Sequence, residues 1–377
     1  MSVMLMDLPF IEGFAVIRFM IFGANRKKRL FLHIGTEKTG TTSIQKFLGA
    51  NREWLNRQGI AIPAALGDLN NKRLYLSSLA PDTPDPFFER KGVRTADERK
   101  RLSREWRKAF AREVATSRCD TWIVSSEFLQ SRLRKDAEIQ NLQRYLLSLF
   151  DTVSIVLYIR NPIEAATSLM STGMKAGVHY EAFPGPKHAY YENICNHRRT
   201  IERWTSHCSR DISVRLFDRD FFSGGSLIAD FCAATGIVPD SGMTLPPPEN
   251  ASLSKPALRI LNAVNAKTAP FVNGTENPAH GRILQALERH FAGLGRFHPT
   301  SEQISAYDAA FSDSTEWVRS QFFPERECLF RPFAMSGSAD IFEMDRDMAS
   351  LADVLIELAD SASHSGRAQV AFAKSPR

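Results

Sequence analysis

The stretch Leu30-Phe31-Leu32-His33-Ile34-Gly35-Thr36-Glu37-Lys38-Thr39-Gly40-Thr41-Thr42-Ser43-Ile44-Gln45-Lys46-Phe47-Leu48 joins three local signals. Leu30 to Ile34 is a bulky run that reads as a short buried strand. Gly35 to Gly40 breaks it with a glycine at each end. From Thr41 to Ala50, Ile44, Phe47 and Leu48 recur at helical spacing. Working outward, Asn51–Gln58 reads as a helix closed by Gly59, and Ile60–Pro63 as a second strand. Residues 64–95 read as loops. A helix starts at Asp97, Thr121–Val124 is a third strand, and a helix runs over Asn141–Phe150. Val153–Ile159 is β-branched and continuous, as in a parallel sheet buried on both faces. Ile163–Met170 is helical, residues 171–187 a long loop, and Asn193–Cys208 helical. Ile212–Phe217 is a fifth strand, and Leu227–Thr235 a helix ended by Gly236. Strand and helix alternate throughout. This predicts an α/β fold: a three-layer domain with a central parallel sheet and a helical C-terminal part opened by Pro246-Pro247-Pro248.

The chain has 377 residues, 43% hydrophobic and 24% charged. That balance excludes a disordered chain, a collagen-like repeat and a polytopic membrane protein. Its net charge of +6 is matched by one segment, Glu89–Arg112, with ten Lys/Arg against four Asp/Glu. A uniformly basic nucleic-acid binder is therefore not expected. In that segment's helix Leu102, Trp106, Phe110 and Val114 form an apolar stripe. The charges on its other faces read as a solvated surface first, and as an attractor of anionic ligands second. Five scattered cysteines without a C-x-x-C pair fit neither zinc nor a disulfide framework, and suggest a reducing, cytoplasmic setting. Residues 1–29 form an N-terminal segment whose apolar part is interrupted by Asp7, Glu12 and Arg18. Neither a spanning helix nor a cleaved signal is expected there; an amphipathic segment in peripheral contact with a membrane, or resting on the domain, is. The sequons at Asn250 and Asn273 carry no weight without a secretory signal. Residues 334–377 read as a polar tail, helical over Asp345–Leu358 and frayed at its end.

A glycine-bounded loop between a buried strand and a helix aims backbone N–H groups at one spot, which suits a phosphate or a sulfate. A nucleoside-triphosphatase loop would read G-x-x-x-x-G-K-[ST]. Here Gly35 and Gly40 keep the spacing, but Thr41 follows and the lysine, Lys38, lies inside the loop. Nor does a later strand end in the aspartate that holds Mg²⁺ in such enzymes: the third ends Ser125-Ser126-Glu127, the fourth in Arg160.

Lys38-Thr39-Gly40-Thr41-Thr42 resembles the 5′-phosphosulfate loop, P-K-[ST]-G-T-T, of sulfotransferases that use 3′-phosphoadenosine 5′-phosphosulfate (PAPS). Arg160-Asn161-Pro162, with Ser168 eight positions after the arginine, is similar to the family's 3′-phosphate signature. The resemblance covers residues 30–236 well, and Phe322-Phe323 through Leu329-Phe330 has the flavour of bacterial carbohydrate-sulfotransferase-like proteins. It implies a sulfotransferase domain over residues 30–333. It further implies that PAPS is the co-substrate, held without a metal by Lys38, Thr39, Gly40, Thr41, Thr42, Ser43, Arg160 and Ser168. The acceptor it implies is a hydroxyl on a saccharide or glycolipid. Lys38 would act catalytically. The glutamate base of several glycan enzymes of this family matches Glu127, although a structural pairing of Glu127 with an arginine is the alternative.

The sequence departs from the family at three places. Glu37 replaces the usual proline, and its side chain is expected to point away or to pair with a base. Ser43 stands where cytosolic members carry an adenine-stacking tryptophan. The C-terminal R-K-G loop has no clean counterpart, Arg198-Arg199 and Asn250–Lys255 being candidates. His33 reads as packing. Lys187, His188, Tyr190 and Tyr191 read as an exposed loop, with an acceptor site as the sharper alternative; Trp54 and Trp204 read as core. The rival functions are a Mg²⁺-dependent small-molecule kinase with an atypical loop and a nucleotide-binding protein without turnover.

Overall fold

The computed structural model describes residues 27–67, 69–247, 253–272, 275–333, 341–342, 348–349 and 351–359. Residues 1–26 of the N-terminal segment, both sequon asparagines and the end of the tail lie outside them. The chain runs β1 (Arg29–Gly35), α1 (Thr41–Ala50), α2 (Arg52–Arg57), β2 (Ile60–Ala61), α3 (Lys72–Leu76), α4 (Pro86–Arg90), α5 (Ala96–Thr116) and β3 (Thr121–Ser125). Then follow α6 (Phe128–Arg132), α7 (Asp136–Leu147), β4 (Thr152–Ile159), α8 (Pro162–Lys175), α9 (Ala189–Cys195), α10 (His197–His207), β5 (Ile212–Leu216) and α11 (Leu227–Thr235). The remainder is α12 (Lys255–Lys267), a small hairpin β6 (Phe271–Val272) and β7 (Thr275–Glu276), α13 (Pro278–His290) and α14 (Ser301–Phe322).

Strands β1 to β5 form one sheet in the order β2-β3-β1-β4-β5, every pair parallel. Alternation along β1 explains the three layers. Leu30, Leu32 and Ile34 enter a core shared with α3, α5, α6, α7 and α10, while Phe31 packs on the opposite core with α1, α2 and α11. Helices cover both faces, so β4 is apolar at nearly every position. Because β1 lies between β3 and β4, the strand order reverses at its C-terminal end, where open α/β sheets leave a crevice. Both Trp54 and Trp204 are buried in these cores.

Several boundaries differ from the sequence reading, each for a capping or packing reason. Within 64–95, α4 forms because Pro86 sits at its first turn and the Asp85 carboxylate accepts the Phe87 N–H. Helix α7 begins at Asp136, earlier than Asn141, where Glu138 reaches back to the Lys135 N–H. Helix α8 continues to Lys175 because Met170 and Met174 are buried against α12 and α13, so the loop is shorter than residues 171–187. Asn196 splits the expected Asn193–Cys208 helix, capping α10 through the Arg199 N–H. In the tail, residues 351–359 are helical, and Ala352 and Ala359 pack into the α12–α13 cluster.

One buried ion pair ties the far edge of the sheet together. Asp230 on α11 accepts hydrogen bonds from Tyr158 Oη on β4 (2.6 Å), from the Arg215 guanidinium on β5 and from the Ser223 N–H (2.9 Å). Burial alone would raise its carboxyl pKa, but the bonds from Arg215 and Tyr158 outweigh that and hold it below the usual carboxylate range. Its stabilisation is therefore present above the unfolded carboxylate pKa and is lost as the pH falls through the folded one. Asp230→Asn is expected to cost about 3 kcal/mol in urea unfolding, since the Arg215 charge is left without its partner. An unchanged midpoint would show that the pair does not hold this edge.

Candidate active site

The loop between β1 and α1 is shaped by backbone geometry first. Gly35, Lys38 and Gly40 all have positive φ, at 101°, 68° and 74°. For the two glycines this costs little; for Lys38 it is a strained conformation that needs outside support. Thr36 anchors the loop to β4 by donating its N–H to the Tyr158 carbonyl (2.8 Å). Thr39 Oγ1 donates to the Thr36 carbonyl (2.6 Å), and Arg160 Nη1 donates to the Lys38 carbonyl (3.3 Å). Gly40 ends the loop as the N-cap of α1 and supplies no side-chain cap. No acidic residue occupies the first turn. The first N–H groups of α1 thus have no helical partner and face a cavity lined by Gly40, Thr41, Thr42 and Ser43. A side chain at Gly40 would be strained by its φ and crowded by Leu227 and by the Phe217 ring, whose Cε2 would stand 2.9 Å from a Cβ.

That cavity, of about 1360 Å³, opens at the C-terminal ends of β1, β3, β4 and β5. Lys38, Glu127, Arg160 and Ser168 all line it with the Gly40–Ser43 turn, so the two sequence signatures meet at one place. Thr39 is the exception: its hydroxyl is spent inside the loop and its side chain is buried, so it shapes the turn rather than lining the cavity. Lys38 Nζ donates to Thr172 Oγ1 (2.8 Å), one helical turn beyond Ser168 on α8. Burial lowers the Lys38 pKa, and the charges of Arg160 and Lys175 add to that against Glu37 and Glu127.

Glu127 follows β3 and accepts a hydrogen bond from Gln45 Nε2 (2.6 Å), not from an arginine. Burial raises its pKa and the Glu37 charge pushes the same way, while the Gln45 bond and Lys38 oppose it. The carboxylate is thus buried at the cavity wall with one amide donor and a pKa above the ordinary value. Gln45 escapes sequence reasoning because one polar residue among several on α1 carries no period of its own; its only signal is its place one turn after Thr41.

Arg160 is held by Glu164 (2.9 Å to Nε) and stands over the Phe217 ring at 5.4 Å. Phe217 and Phe222, in edge contact at 5.7 Å, and Leu227 make an apolar wall of the cavity, with Phe217 and Leu227 against Gly40. Arg331, brought in by the chain after α14, also lines the cavity. It pairs with Asp218 and Asp220, and its carbonyl accepts from Asn161 Nδ2 (3.2 Å). The expected stand-in Arg198-Arg199 does not reach the cavity: Arg198 pairs with Glu202 and Arg199 with Glu192. Asn250–Lys255 contributes no lining residue among the described ones. The basic helix α5 is not part of the lining either. Its Arg99 and Arg107 bond to the Thr83 carbonyl and to Asn141, tying α5 to its neighbours.

His33 lies wholly buried below the loop, bonded to Ser125 Oγ (2.7 Å). Burial brings its pKa down to about 3, so it stays neutral. The aromatic group near residue 190 is not an exposed loop. Tyr190 and Tyr191 lie on α9, Tyr191 is buried, and His188 Nδ1 accepts the Tyr190 N–H at the start of that helix. Lys187 and His188 line a separate shallow groove against α14. Glu37 neither turns away nor pairs with a base: it lines the main cavity and accepts the Tyr190 hydroxyl (2.6 Å).

No protein-family model and no curated protein matches the sequence. Among solved structures, the chain is similar to a sulfotransferase from Alicyclobacillus acidocaldarius at 15% identity, with a TM-score of 0.38, over 78% of this chain and 94% of that one. No helix of the described residues is long and apolar enough to cross a membrane.

Proposed function

We propose that this protein transfers a sulfuryl group from PAPS to an acceptor hydroxyl, on a saccharide or glycolipid, by in-line displacement. The observation that carries this reading is the meeting of Lys38, Arg160, Ser168 and the free N–H groups of α1 around one cavity that also holds Glu127. The residues fit the nucleotide: an anion cradle at the Gly40–Ser43 turn, guanidinium groups at Arg160 and Arg331, and an apolar wall at Phe217, Phe222 and Leu227. When bound, PAPS supplies the activated sulfuryl group. Glu127 takes the acceptor's proton as the acceptor oxygen bonds to sulfur. Lys38 offers a proton or a hydrogen bond to the phosphate oxygen that keeps the electron pair of the broken S–O bond. The α1 N–H groups and the hydroxyls of Thr41, Thr42 and Ser43 hold the remaining oxygens. Positioning and fixed dipoles do most of the work, as in phosphoryl transfer.

Calorimetry with 3′,5′-phosphoadenosine followed by a labelled-PAPS transfer assay on neutral glycosides, glycolipids and phenols tests this reading. Binding without transfer would leave a nucleotide-binding protein, and no binding would end the proposal. The kinase alternative requires ATP and Mg²⁺, so sulfate transfer persisting in excess chelator excludes it. Arg160→Ala is expected to weaken 3′,5′-phosphoadenosine by roughly 10- to 100-fold, the worth of a charge-assisted bidentate contact. Unchanged affinity would remove Arg160 from the 3′-phosphate.

A further inference from the structure

A role for Glu37 follows from its surroundings and rests on the sulfuryl-transfer reading. Glu37 lines the cavity directly before Lys38. Its Oε2 receives the Tyr190 hydroxyl at 2.6 Å, while its Oε1 is buried without a hydrogen-bond partner among the described residues. A buried acceptor left without a donor is costly, and such atoms persist where a ligand completes them. Burial pushes the Tyr190 phenol pKa far up, with the Glu37 charge adding to it, so Tyr190 keeps its proton and remains the donor. The Glu37 carboxylate thus keeps acceptor capacity that no group among the described residues takes up.

The neighbourhood limits what can supply it. Gly35 brings Glu37 and Glu127 together: a Cβ there would stand 3.1 Å from Glu127 Cα and 3.3 Å from the Glu37 nitrogen. Both residues line the cavity, and their charges act on one another and on Lys38, whose Nζ is already bonded to Thr172. Phe128 adds an apolar face. We propose that Glu37 determines acceptor specificity: its carboxylate, at the cavity wall, accepts a hydrogen bond from a second hydroxyl of a neutral saccharide, and its charge excludes acceptors that carry a carboxylate or sulfate of their own. An anionic sugar would stand as a third negative charge beside Glu37 and Glu127 and opposite the anionic sulfuryl donor, an arrangement that disfavours binding strongly.

The test uses the full chain loaded with 3′,5′-phosphoadenosine and three probes: methyl β-glucopyranoside, its uronate and its 6-sulfate. Saturation-transfer NMR gives the affinity of each without requiring turnover. The neutral glycoside is expected to bind at least about tenfold more tightly than either anionic analogue, the scale of one unfavourable like-charge contact. Glu37→Gln should compress that ratio to within about threefold, whereas Tyr190→Phe, which keeps the charge, should preserve it. Equal affinities in the native protein, no saturation transfer to any of the three, or a ratio unmoved by Glu37→Gln would overturn the assignment. The native protein alone decides the first two outcomes, so the test survives a variant that does not fold. Calorimetry on the same sample separates the two levels: failure to bind 3′,5′-phosphoadenosine removes the sulfuryl-transfer reading and the assignment with it.

Discussion

Glu127→Gln is expected to lower kcat by roughly 10²- to 10⁴-fold while leaving 3′,5′-phosphoadenosine affinity within about threefold, the pattern of a lost general base. Glutamine keeps the size and one oxygen for the Gln45 bond but cannot take a proton. The pH profile sharpens this prediction. Burial first, and then Glu37, raises the Glu127 pKa, so the carboxylate is protonated and inactive over a range that extends above the ordinary value of about 4.3. Activity should therefore rise through an acid limb displaced upward. Lys38 shifts the opposite way: burial lowers its pKa, so the alkaline limb, where the ammonium is lost, should fall below the ordinary lysine value of about 10.4. The bell is narrower than free carboxylate and amine would make it. Glu127→Gln should abolish its acid limb in single-turnover rates. An acid limb that survives in the variant would assign it to another group.

Lys38→Ala is expected to cut turnover by roughly 10²- to 10³-fold, with a much smaller loss in 3′,5′-phosphoadenosine binding, because a charge aimed at the departing oxygen matters most as that oxygen gains charge. The comparison of kcat with affinity decides the role. Equal losses in both would make Lys38 an anchor for the ground state. The substitution also frees Thr172 Oγ1, which still donates to the Ser168 carbonyl (3.0 Å), so the α8 wall keeps its local bond. Arginine should rescue poorly: the site suits a compact ammonium, and a planar fork would meet Arg160 across the loop.

The unusual placement of the lysine acquires a physical basis in the tertiary structure. Inside the loop, at positive φ, Lys38 points its side chain toward α8 rather than along α1. Its carbonyl accepts Arg160 Nη1, which joins the loop directly to the end of β4. A lysine after Gly40 would sit on the first turn of α1 instead, with none of these partners. Glu37, beside it, accepts the Tyr190 hydroxyl on one of its oxygens.

Much of this was legible from local pattern. The strand, glycine turn and helix over Leu30–Leu48 identify a parallel α/β sheet because side-chain periods of two and 3.6 are properties of a few consecutive residues. The positions of Lys38, Glu127 and Arg160 just beyond strand ends, with Ser168 on the helix that follows β4, fit the same alternation, since such a sheet gathers those ends on one side. What periodicity could not supply were partners distant in sequence: Gln45 on Glu127, Tyr190 on Glu37, Thr172 on Lys38, Phe217 under Arg160 and Arg331 from beyond α14. Thr39 shows the same limit within the loop itself, where a hydroxyl expected to face the cavity turns to the Thr36 carbonyl instead. Local sequence determines which residues repeat on a face and where a chain must turn. Only the packed strand order, β2-β3-β1-β4-β5, decides which strand ends become neighbours and which side chains complete one another's hydrogen bonds across more than a hundred residues of chain.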